Sequence, residues 1–232
     1  SNDDFAFVLL KDVDASTEIR FTDQGVNNPG TFVSNLGDGE MVWTSNSALS
    51  AGTVVTIIQS ILSTSTGSVT QPDLMTMSLI GDQVFAFQGS LASPTIITGM
   101  HSNESSAPST DGDWSGSASS NSTSALPDVL TNGSNAIRLH DTSTEVDNWR
   151  FKCTDGTVSG TAAEIATNIY TLANWDSNND IAYSPVAKAC TYNVSAAADS
   201  DGSLTAAGGV TEPVAIDTTL DTTGEAVNVF DF

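Results

Sequence analysis

The chain has 232 residues and a formal charge of −22, from 6 Lys plus Arg against 28 Asp plus Glu, while charged residues make up only 15% and hydrophobic residues 39%. The acidity therefore reflects a shortage of bases, and six cations cannot form the patch that displaces counterions from nucleic-acid phosphates. An anionic membrane surface would repel such a chain, and disorder along its whole length would need a less hydrophobic composition.

No apolar run approaches the roughly 20 residues of a spanning helix. No signal peptide opens the chain, as expected of a mature or trimmed form. Short apolar or alternating runs bounded by Gly, Asp, Asn and Ser predict strands at 5–10, 18–22, 40–44, 53–59, 74–80, 83–88, 95–99, 136–139, 149–152 and 189–194. Gly81-Asp82, between two of these, predicts a two-residue hairpin turn with positive φ at Gly81. Residues 102–126 are rich in Ser, Gly and Asn and predict a long exposed loop. Thr161 with Glu164 three residues on is a capping box. Ile165, Ile169 and Leu172 then share one face, so a helix is expected over 162–172. Residues 196–209 have the composition of a linker. No repeat of 20–50 residues is visible. The expected fold is all-β, a jelly-roll-like β-sandwich with one short α-helix near 162–172 and an extended C-terminal strand. The expected organisation is a sandwich domain over 1–195, a flexible linker over 196–224 and a donor-type strand over 225–232.

The two cysteines, Cys153 and Cys190, and four N-x-Ser/Thr sequons at Asn103, Asn121, Asn132 and Asn193 point to an extracellular or cell-surface glycoprotein with one disulfide. Two buried free thiols are the other reading. A bridge would close a loop of about 38 residues, worth on the order of 3–4 kcal/mol in the chain-entropy model.

Catalytic signatures are missing. The sequence holds no Gly-x-Ser-x-Gly elbow, no His-Glu-x-x-His and no phosphate loop. His101 and His140 suit surface or hydrogen-bonding roles, and the chain is not expected to be an enzyme. Asp176, Asn178 and Asp180 alternate like the first half of a Ca²⁺ loop, without its Gly at position 6 or its bidentate Glu at 12. Asp199-Ser-Asp201 and Asp111-Gly-Asp113 are shorter versions. Bound Ca²⁺ would relieve self-repulsion at this charge, although turns rich in Asp and Asn form without metal. Trp43 and Trp149 fall in predicted strands and suit the core. Trp114, in the Ser/Gly-rich stretch, is the candidate exposed platform for a sugar ring.

A set of local patterns runs through the chain. They are Asp3-Asp4-Phe5-Ala6-Phe7-Val8-Leu9-Leu10, Phe21-Thr22-Asp23-Gln24-Gly25, Met41-Val42-Trp43-Thr44, Gly81-Asp82-Gln83-Val84-Phe85-Ala86-Phe87 and Ala173-Asn174-Trp175. Together they resemble an uncharacterised secreted β-rich domain of bacterial cell-surface and exported multidomain proteins, over about residues 1–194. The resemblance implies a β-rich fold and carries over no catalytic residue. Members usually have one more strand before the Asp-Asp-Phe motif, of the type apolar-Ala-Phe-x-Gly-Phe-Asn. Here Ser1-Asn2 stands in its place.

The last residues alternate. Ala226, Asn228, Phe230 and Phe232 fall on one face, and Val227, Val229 and Asp231 on the other. This pattern is similar to the opening strand that the resemblance leads one to expect. Two readings stand: the segment completes a neighbouring copy by strand addition, or it folds back onto its own domain. The length of the connector favours exchange, which being head-to-tail builds a filament unless the rotation closes a ring. The expected function is thus a structural subunit of an extracellular glycosylated filament or surface assembly. Its partners are copies of itself and covalent glycans, with no nucleic acid and no membrane span. The alternative is a secreted carbohydrate-binding or adhesive module, with Ca²⁺ as its cofactor if it has one.

Overall fold

The computed structural model describes residues 3–34, 37–78, 81–103, 114, 117–139, 148–153, 156–178, 183 and 190–195. Among these the protein is all-β and sandwich-like, with one α-helix. With strands numbered in chain order, a small sheet holds β1 (Phe5–Val8), β6 (Val54–Ile58) and β7 (Ser63–Thr64) in the order β1-β6-β7. The largest sheet holds β2 (Glu18–Thr22), β5 (Glu40–Thr44), β8 (Ser68–Asp73), β9 (Gln83–Ser90), β10 (Ser93–His101) and β11 (Ala136–Arg138). Its order is β11-β10-β9-β2-β5-β8. All neighbours in it are antiparallel except β10 and β11.

Alternation explains how the two sheets meet. Ile19 and Phe21 on β2 and Trp43 on β5 point to one face and are almost wholly buried. The Phe21 ring lies 4.9 Å from that of Phe5 and 5.2 Å from that of Phe7, and Phe7 stands edge-on to Trp43 at 5.2 Å. Aromatic rings from β1 thus fill the space over β2 and β5.

The large sheet is covered on its other face too. Val84 and Ala86 on β9 join the front core, whereas Phe85 and Phe87 join a second cluster with Val26, Phe32, Trp114, Leu130 and Ala136. The short ribbon of β3 (Val26–Asn27) and β4 (Thr31–Phe32) lies on that back face. The stretch 102–126, expected as an exposed loop, is partly packed there. Ser124 is buried, its Oγ accepts the Val26 N–H, and the Ala125 N–H donates to the Val26 carbonyl.

The rest of the front is closed by β12 (Asn148–Phe151) with β14 (Trp175–Asn178), by β13 (Thr157–Thr161) with β15 (Thr191–Ser195), and by α1 (Ala162–Ile169). The Thr161/Glu164 capping box forms as expected, and Ile165 and Ile169 are buried. The helix stops short of 172 because its last carbonyls find other donors. The Trp175 indole N–H bonds the Ile169 carbonyl at 2.6 Å, and Asn174 Nδ2 bonds that of Asn168 at 2.8 Å. Cys153 and Cys190 are bonded, with S–S 2.07 Å and Cα–Cα 5.8 Å, tying the end of β12 to the start of β15.

The hairpin expected around Gly81-Asp82 does not form. Gly81 has positive φ (+81°), yet β9 pairs with β10 and β2, and the described residues 74–78 make no strand. Their backbone is held by side chains instead, as described next.

Candidate functional site

Two features around β1 invite a functional reading. The first is β1. Phe5, Ala6, Phe7, Val8 and Leu9 are each at most 1% exposed, and β1 pairs along β6. Outer strands usually carry guards against pairing. The outer strand β8 has Pro72 and Asp73, and the outer strand β11 is three residues long and ends on Arg138. β1 carries neither proline nor charge within Phe5–Val8.

The second feature is a set of carboxylates beside the entry to β1. Asp4 Oδ1 accepts the Gln59 N–H at 2.8 Å, and the Asp3 N–H donates to Gln59 Oε1 at 3.2 Å. Residues 75–78 are then held one by one. Gln59 Nε2 donates to the Met75 carbonyl. Asp23 Oδ2 accepts the Thr76 N–H at 2.8 Å, Asp3 Oδ2 the Met77 N–H at 3.1 Å, and Asp82 Oδ2 the Ser78 N–H at 2.7 Å. This strap is the segment expected as a strand over 74–80. Its N–H groups are satisfied by carboxylates rather than by a neighbouring strand, which also explains the missing hairpin. Asp23 Oδ1 takes the Gly39 N–H at 2.6 Å as well, and Gln83 Nε2 donates to the Asp23 and Asn121 carbonyls.

Burial pushes Asp23 and Asp38 up to about 7, and it raises Asp82 well above the ordinary carboxylate range. The charge of Asp38 raises Asp23 further, and the charges of Asp23 and Asp38 raise Asp82, while the accepted N–H bonds oppose the shift in Asp23 and Asp82. Composition hid this cluster, because each Asp looks like a turn residue. The only local cue is its place beside a glycine or a strand end, in Asp23-Gln24-Gly25, Asp38-Gly39 and Gly81-Asp82.

Gly39 is where the strap comes closest. A Cβ there would overlap the backbone of Leu74 and Met75. Gly39→Ala is therefore expected to destabilise the fold by about 1–3 kcal/mol, as overpacking does. Urea unfolding measures this, and a shift under 0.5 kcal/mol would mean that the strap does not press on Gly39.

Compared with known proteins, the chain matches no family model, no curated sequence and no solved structure.

The sequence-derived sites fall out unevenly. Trp114 is not an exposed platform. It is 2% exposed, with its ring 5.9 Å from Phe85 and 5.0 Å from His101 on the back face. Its indole fills a core that the alternation of β9 creates, which composition around residue 114 does not signal. His101 is likewise buried rather than on the surface. Asn103 is 5% exposed and its Nδ2 donates to the Ser122 carbonyl, so it does not offer the surface amide that a glycan needs. Asn121, Asn132 and Asn193 are exposed.

Asp176 and Asn178 lie on β14, not in a loop. The Asp176 carboxylate meets Arg150 Nη2 at 2.8 Å and Lys152 Nζ at 3.8 Å, so two cations already occupy the place a Ca²⁺ ion would take. Among the described residues no group of three metal-ligating side chains comes together. Asp180, Asp111, Asp113, Asp199, Asp201 and His140 lie outside the described residues, as do the linker 196–224 and the assembly strand Ala226, Val227, Asn228, Val229, Phe230, Asp231 and Phe232. A cleft beside α1 is lined by Ser159, Ala163, Glu164, Thr167 and Asn168, with no aromatic ring among them.

Proposed function

We propose that the protein is a structural subunit of an extracellular, glycosylated filament or surface assembly. Segment 226–232 of one copy pairs along β1 of the next. What supports this reading is the make-up of β1, which is apolar, without proline or charge, and lies over the aromatic layer of Phe5, Phe7, Phe21 and Trp43. A strand of alternating apolar residues suits that position. Val227 and Val229 can face one layer and Phe230 and Phe232 the other, while ladder hydrogen bonds supply the register. β8 and β11 are poorer acceptors, because proline and charge oppose pairing there. Asn121, Asn132 and Asn193 are exposed, as sites for covalent glycans must be. The carbohydrate-binding alternative loses its aromatic platform with the burial of Trp114.

Light scattering of the intact chain over a wide concentration range, with electron microscopy of the same samples, tests this. Concentration-dependent polymers are expected. Phe230→Ala should weaken association by about 1.5–3 kcal/mol, on the order of ten- to a hundredfold in the association constant. Val229→Pro should abolish it by removing a ladder donor. A chain that stays monomeric at every concentration would overturn the proposal.

A further inference from the structure

We propose that Asp23 and Asp82, with Asp38 beside them, form a pH-sensitive latch, which holds the strap 75–78 down in acid and loosens it as the pH rises towards neutral. The inference stands apart from the assembly reading and rests on how the strap is held. Asp23 reaches it from the end of β2 and Asp82 from the start of β9, each through one oxygen, with the other oxygen bonded to a second N–H. Asp38, half-buried in the turn before Gly39, adds a third carboxyl whose Oδ2 is buried and has no hydrogen-bond partner.

The charged groups around the cluster are mostly acidic. Asp3 and Asp4 come from the segment before β1, and Glu40 and Asp73 face each other across β5 and β8. Arg20 on β2 is engaged by Glu40 at 2.8 Å and Glu18 at 3.3 Å. His101 stands opposite Gln83 in the β9–β10 register, with its ring turned to Trp114. Three carboxylates in so dry a place repel one another, and opening the strap hydrates them.

The sign follows from proton binding. The closed cluster holds protons up to about pH 7, whereas an opened, hydrated carboxyl releases them near its ordinary value of 3.8. Closure is therefore fully favoured below about pH 4. It weakens steadily up to about pH 7 and stays weak above that.

Hydrogen exchange of the Thr76, Met77 and Ser78 amides, corrected for intrinsic rates, tests the latch. Protection is expected to fall roughly ten- to a hundredfold between about pH 5 and pH 8, while the amides of β2 keep theirs. Asp38→Asn removes a charge that raises Asp23 and Asp82 and no bond to the strap, so it should end the loss at lower pH and reduce its size. Three results would each overturn the proposal: protection that is flat with pH, β2 amides that loosen together with the strap, or an Asp38→Asn profile identical to that of the parent.

Discussion

Replacing Phe21 with alanine should cost about 3–5 kcal/mol of stability, the range for a fully buried aromatic ring. The residue is wholly buried on β2 and its ring touches both Phe5 and Phe7, which belong to the other sheet. Its removal empties the layer on which the two sheets are registered, and β1 cannot move in to fill the gap while its backbone is paired to β6. The melting temperature should drop by about 10 °C, since each kcal/mol moves a domain of this size by roughly 2–4 °C. Ile61→Ala is the control. That side chain is 72% exposed, so its loss should stay within about 0.5 kcal/mol. Denaturant unfolding of both variants decides the matter. A Phe21→Ala cost below 1 kcal/mol would mean that the sheets are not held together through this ring. If β1 is also where another copy docks, the variant should polymerise less readily than its residual stability alone would suggest.

The second large effect belongs to the disulfide. Removing both partners by Cys153→Ala and Cys190→Ala should cost about 2–5 kcal/mol, mostly because the unfolded chain regains the freedom that the bridge denies it. The sequence separation of 37 residues takes in β13, α1 and β14. Without the bridge this unit is still held by the buried Thr98–Tyr170 side-chain hydrogen bond at 2.7 Å and by Ile165 and Ile169 in the core. Both cysteines are nearly buried, so alanine leaves little polar loss to confuse the comparison. Guanidinium unfolding should show a lower midpoint with a similar slope. An unchanged midpoint would show that the bridge constrains nothing the fold does not already constrain.

What could be read from the sequence was local in origin. β2 and β5 lie where alternation put them, because a period of two is a property of five consecutive residues. The helix N-terminus was legible because Thr161 and Glu164 satisfy each other within one turn. The disulfide was legible by count, since two cysteines in a chain of this composition leave few choices.

The failures share the opposite character. Residues 74–80 look like a strand by composition. The Met77 N–H, however, is satisfied by Asp3, 74 positions away, and the Thr76 N–H by Asp23, 53 positions away. β8 was missed because Ser68–Asp73 is polar and contains proline, features that only an outer position tolerates. Trp114 reads as exposed beside its Ser and Gly neighbours until Phe85 and Phe87 are seen to face the back of the sheet.

The order of residues alone settled the all-β character, the start of the helix at Thr161 and the paired cysteines, since all of these follow from composition or from contacts within a few positions. Folding in three dimensions settled which face of β9 meets which core, where Trp114 goes and which acids share a site. Desolvation and charge repulsion act between groups that are distant along the chain, so a carboxyl's ordinary or shifted affinity for a proton exists only once its neighbours have been brought to it.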